Sequence, residues 1–116
     1  MQTYLTPGDK PELTAPGGGV TAGVGYVIGA VFVVAESTQV ATARFVGCRR
    51  GAFRLLKNTS DAITEGQKVF WDDSAKRVRT ASATGRFLIG TAMKAQLAAD
   101  TTCDVMLDGI AVTAVP

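Results

Sequence analysis

The chain alternates short apolar runs with turn residues, and nearly every run has the composition and period of a β-strand. Residues 26–35, YVIGAVFVVA, are β-branched and aromatic without a polar interruption, as in a strand covered on both faces. Residues 39–48 and 52–57 follow as strands on either side of a break at Arg49-Arg50-Gly51. Residues 68–71 pair with residues 77–81 across the turn Asp72-Asp73-Ser74-Ala75-Lys76, and residues 87–94, 103–107 and 110–115 complete the set. The only helical hint is residues 58–64, NTSDAIT, whose capping side chains precede an apolar run too short for more than a turn or two. The first 25 residues differ in kind. Pro7-Gly8, Pro11 and Pro16-Gly17-Gly18-Gly19 block helix and interrupt any long central strand. This predicts an extended N-terminal arm over residues 1–25 and a β-barrel-like domain over residues 26–116. Fully stretched, such an arm spans about 80 Å, enough to reach a neighbour. A strand closing its own barrel is the alternative. The predicted fold is therefore all-β: a small single-domain β-barrel or sandwich with an extended N-terminal arm.

Composition sharpens this picture. A chain of 116 residues forms one domain and buries roughly two-thirds of its unfolded surface, so it needs no disulfide or metal staple. Apolar residues make up 47% and charged residues 19%, against about a quarter charged in an ordinary soluble domain. Part of that apolar surplus is expected to face another protein. No window reaches the roughly 18 uncharged apolar residues of a membrane helix, so no membrane partner is expected. The start lacks a basic stretch followed by an apolar one, which points to synthesis in a cytoplasm. Cys48 and Cys103 are expected to be small buried hydrophobes rather than a disulfide.

Candidate chemistry is sparse. The absence of histidine removes the commonest general base, the commonest metal ligand and every Ser-His or Cys-His nucleophile. Asp72 and Asp73 are adjacent in a turn, where neighbouring side chains diverge, so they read as turn residues rather than as an acid and base straddling one bond. Gly18 and Gly23 have the spacing of a phosphate loop, but Val24 and Gly25 stand where Lys and Ser or Thr would hold phosphate and magnesium. Gly23, Gly25 and Gly29 also miss the dinucleotide spacing and lead into a strand. No catalytic residue, metal site or cofactor is assigned. The basic residues Arg44, Arg49, Arg50, Arg54 and Lys57 fall in one stretch with no acid between them, which fits either nucleic acid or an acidic protein surface. A net charge of +2 and the lack of an aromatic stacking platform favour the protein partner. Phe70 and Trp71 are consecutive in a strand and point to opposite faces, so one joins the core and the other needs cover elsewhere.

The ordered series TAPGGGVTAG, GAFRLLKNTSDAITEGQKVFWDD, the turns between Thr80 and Met93, and CDVMLDG resembles the DUF2190 family of tailed-phage capsid cement, or head-decoration, proteins. The similarity runs over nearly the whole chain. It is most specific at Gly51-Ala52-Phe53, Leu56-Lys57, Asp61-Ala62-Ile63-Thr64, Gly66, Lys68-Val69-Phe70-Trp71-Asp72 and Ile89-Gly90. Leu56 stands where relatives often have proline, and Cys48-Arg49-Arg50 is more basic than usual. The resemblance implies a non-enzymatic protein that binds the outside of the major capsid protein lattice, commonly as a homotrimer, and stabilises the packaged head. It places the protein on the outer surface of the virion capsid after synthesis in the host cytoplasm. The contacts expected on this basis are Thr3, Tyr4 and Leu5 in the arm, by strand addition, and Arg49 and Arg50 against acidic groups. The family has also carried a recombinase label, which the missing phosphate-loop lysine does not support. The alternative function is a small β-barrel nucleic-acid-binding or recombination accessory protein.

Overall fold

The structure, a computed structural model, describes residues 10–115. Thr3, Tyr4 and Leu5 lie outside the described residues. Nine strands and no helix make up the described chain: β1 (Glu12–Thr14), β2 (Gly25–Ile28), β3 (Val31–Ala35), β4 (Arg44–Cys48), β5 (Arg50–Leu56), β6 (Lys68–Asp72), β7 (Arg77–Arg79), β8 (Phe87–Ala92) and β9 (Thr102–Asp108). They form a four-stranded sheet in the order β1-β4-β3-β2 and a five-stranded sheet in the order β5-β9-β8-β6-β7, with every ladder antiparallel. The larger sheet curls into a half-barrel. Its two edge strands meet at one end, where Lys57 bridges Val78 and Asn58 N donates to Val78 O at 3.1 Å.

Two-residue alternation builds the half-barrel core. On β9, Cys103, Val105 and Leu107 point inward while the residues between them do not. Leu55, Val69, Trp71, Val78 and Ile89 join them, and β3 closes the open side by adding Phe32 and Val34. The Phe32 and Trp71 rings meet edge to face at 5.3 Å and 61°, a favoured aromatic geometry. On its other face, β3 sends Val33 and Ala35 into a second, smaller core with Ala15, Val20, Tyr26 and Phe45. Within the uninterrupted apolar stretch, residues 32–35 of β3 thus lie covered on both faces, whereas Gly29 and Ala30 are exposed.

That stretch is two strands rather than the one expected. Gly29 and Ala30 form a two-residue hairpin loop between the paired Ile28 and Val31. Gly29 has φ +63°, the positive value that a glycine at the first loop position of a tight hairpin supplies without Cβ strain. Three further expectations are corrected. The strand expected over residues 39–48 starts only at Arg44, because a turn closed by Ala43 N and Val40 O, with Thr42 at φ +66°, precedes it. Residues 58–64 form a turn, Asp61 N to Asn58 O, followed by a bridge from Ile63 to Gln96, and no helix. Residues 110–115 are a strap, held by Val112 N to Ala30 O and a single bridge from Ala114 to Phe87. Residues 10–25 lie on the four-stranded sheet, with β1 on β4 and the following turns packing Ala15 and Val20 into the small core.

Candidate interaction surface

The expected hairpin of β6 and β7 forms in the register Trp71 to Val78 and Asp72 to Arg77. Trp71 is in the core and Phe70 is half-buried on the opposite face. Both aspartates serve the turn. Asp72 Oδ1 accepts from Ser74 Oγ at 2.7 Å and from the amides of Ser74 and Ala75; the Ser74 hydroxyl leads the effects that lower the Asp72 pKa. Asp73 Oδ1 accepts from Lys76 Nζ at 2.7 Å and from Trp71 Nε1 at 3.2 Å. These carboxylates fix the loop and the indole.

The basic run separates into residues with different fates. Arg44 bonds Glu12 and Thr14 on β1. Arg54 pairs with Asp104 across the β5–β9 ladder at 2.8 Å, a hydrogen bond that raises its own pKa and lowers that of Asp104. Lys57 is fully buried, and its ammonium donates to three backbone carbonyls, Asn58 O, Ala98 O and Asp100 O, each at 2.9 Å. All three ammonium donors are thereby used. Only Arg49 and Arg50 come together as a pair at the surface. Arg49 Nη1 donates to Gly109 O, and the stem of Arg50 lies against Gly109 Cα. Arg50 itself makes no hydrogen bond or ion pair among the described residues. A continuous cationic track for a nucleic-acid backbone is therefore not assembled from these five residues.

Beside the arginines the surface is apolar. Ile110, 70% exposed, sits between two hollows, one lined by Arg49, Ala30 and Phe32 and the other by Leu88, Val112 and Thr113. On the outward face of the half-barrel, Met106 stands opposite Ala52 and Thr91, with Met93 nearby and half-exposed. Leu88 is exposed because β8 bulges: Val69 faces Gly90 and the next residue, Phe70, faces Leu88. At Gly90 the strands come so close that an added Cβ would lie 2.0 Å from Met106 O. The apolar residues Leu88, Met93, Met106 and Ile110 were missed in the sequence. Met106 alone carried a signal, as the apolar residue in the polar phase of β9 between Asp104 and Asp108.

A comparison with protein-family models gives one decisive result: the phage cement protein family matches residues 5–107. The chain belongs to the phage cement protein family. The match covers both sheets, from before β1 to nearly the end of β9. No curated protein and no solved structure matches the chain. Phage cement proteins are structural components associated with the capsid, so this chain is a virion structural protein by family. The exposed apolar surface beside Arg49 and Arg50 is its best-formed candidate for a partner.

Proposed function

We propose that this phage cement protein decorates the outside of the major capsid protein lattice as a homo-oligomer, with a trimer favoured, and strengthens the packaged head without performing a reaction. Membership of the cement family carries this reading. The exposed apolar residues beside an arginine that has no partner among the described residues support it, because covering apolar surface contributes about 25 cal/mol per Å² and charged rims orient docking. A protomer tied to others in an oligomer loses its orientational freedom once while gaining several capsid contacts, so individually modest contacts sum to tight attachment. Each attached copy then opposes separation of the capsid subunits it touches. Arg49 and Arg50 meet acidic groups of the capsid protein. Thr3, Tyr4 and Leu5 add a strand to a neighbouring chain. The outer capsid surface is the site of action.

The test is direct. Purified protein is mixed with undecorated, expanded heads of its own phage, and bound protein is measured after sedimentation. Saturable binding is expected, together with heads that withstand higher temperature or chelator before releasing DNA. Protein that stays in the supernatant at every concentration overturns the reading.

A further inference from the structure

Among the described residues, β5 is an edge strand that is sealed at one end and open at the other. It pairs with β9 on one side. Lys57 N donates to Thr101 O at 2.9 Å, which sets the phase of the ladder. By the alternation of antiparallel pairing, Gly51, Phe53 and Leu55 turn their amide groups toward β9, whereas Arg50, Ala52, Arg54 and Leu56 turn theirs away. β7 covers this outer edge only near Leu56 and Lys57. From Arg50 to Arg54 no described strand pairs with it. Over the β5–β9 ladder next to this stretch lies an open hollow of about 300 Å³ lined by Ala52, Phe53, Arg54, Met93 and Asp104.

We propose that this open edge of β5 receives an extended, acidic segment of the major capsid protein as an added strand. The inference rests on the capsid-binding reading above and names its mode of contact. An unpaired edge offers main-chain donors and acceptors that give affinity to any extended chain, while the alternating side chains select which chain binds. Here the selecting residues are Arg50, Ala52 and Arg54. The molecule already contains a strand that complements them, because β9 sets Asp108, Met106 and Asp104 opposite those three residues. A strand on the other side with carboxylates near the two arginines and a large apolar residue between them fits the same face, the apolar side chain lying against the small side chain of Ala52. Arg50 contributes most to this selection, since Arg54 is already held by Asp104 and Arg50 has no hydrogen-bond or ion-pair partner among the described residues. A second copy of β5 is a poor occupant. Twofold antiparallel pairing centred on Ala52 would set Arg50 of each copy opposite Arg54 of the other, and like charges directly opposite destabilise a ladder.

Two variants test this on undecorated heads. Ala52→Pro removes an amide that points away from β9, so it spares the internal ladder and blocks only an incoming strand. Arg50→Glu reverses the charge of an exposed side chain that has no ion pair among the described residues. Both are expected to keep the wild-type melting temperature and to bind heads at least about tenfold more weakly, with the Arg50→Glu deficit shrinking at high salt. Wild-type affinity for both variants, while wild type binds, overturns strand addition at β5 and leaves the capsid-binding function standing. Failure of wild type itself to bind overturns both. Weak binding by Ala52→Pro with normal binding by Arg50→Glu overturns the acidic character of the occupant. Wild-type self-association that Ala52→Pro abolishes, without effect on head binding, reassigns the edge to a second copy and overturns the capsid assignment. Should Ala52→Pro melt lower than wild type, Arg50→Glu decides alone.

Discussion

The two ends of β5 carry the same kind of residue and do opposite things. At the far end Lys57 is buried without a counter-ion among the described residues, and its ammonium ties three carbonyls from the segment after β5 and the loop before β9. At the near end Arg50 lies on the surface against Gly109 and reaches no partner among the described residues. One cation closes the barrel seam; the other is left for solvent or another molecule. The difference lies in the neighbours, since β7 seals the edge beside Lys57 and no described strand reaches it beside Arg50. A charge near buried carbonyls replaces their lost water, whereas a charge at an open edge has lost none.

Substitutions at each end test that contrast. The largest effect is expected from Lys57→Ala, which strips three buried carbonyls of their donor and leaves a void, costing about 3–4 kcal/mol in denaturant unfolding. Lys57→Met restores most of the volume and not the hydrogen bonds, so a cost near that of Lys57→Ala would show that the donors dominate. Leu55→Ala, also at the sealed end and 2% exposed, is expected to cost about 2–4 kcal/mol. Calorimetric melting that finds either variant unchanged breaks the claim that this end holds the barrel together.

A smaller effect is expected at Asp61, which pairs with Arg79 on β7 at 2.8 Å and accepts from Thr80 N. Burial works to raise the Asp61 pKa, but the hydrogen bonds from Arg79 and Thr80 overcome it, and the net shift is downward. A folded value below the unfolded one means that the pair stabilises at neutral pH and that this contribution is lost as pH falls below the ordinary carboxylate range. Asp61→Asn is therefore expected to lower stability by about 1 kcal/mol at pH 7 and to narrow its gap from wild type in acid. A gap that does not change with pH removes this account. Cys103 is a quieter probe of the same barrel. Burial pushes its thiol up to about 11, so in native protein at pH 8 it should react with a thiol reagent only as fast as the barrel opens. Labelling at the rate of free cysteine would mean the core is accessible. Arg50→Ala closes the series at the open end, with no shift in melting temperature expected by scanning fluorimetry.

Much of the fold was legible because local chemistry and tertiary structure agree there. Asp72 to Lys76 form a turn in any context that brings two alternating strands together, and Trp71 belongs inside because its strand partners do. The burial of β3 on both faces was legible in the stretch over residues 26–35, but its division at the exposed Gly29-Ala30 was not, since that pair carries no polar turn residue. The strap over residues 110–115 has strand composition, yet it lies across the β2–β3 loop and makes only an isolated bridge to β8. The candidate surface was half legible: Arg49 and Arg50 stood out, whereas the exposure of Ile110 and Leu88 depends on the strap and on the bulge in β8.

The sequence by itself determined the all-β class, the β6–β7 hairpin, the lack of histidine chemistry and the resemblance to cement proteins, because composition and nearest neighbours suffice for these. Only the tertiary structure decided which basic side chains are spent internally and which apolar ones stay outside. Burial is settled by what packs from distant parts of the chain, and a one-dimensional pattern cannot tell a lysine whose donors are taken up by loop carbonyls from an arginine one strand-length away that faces an open edge.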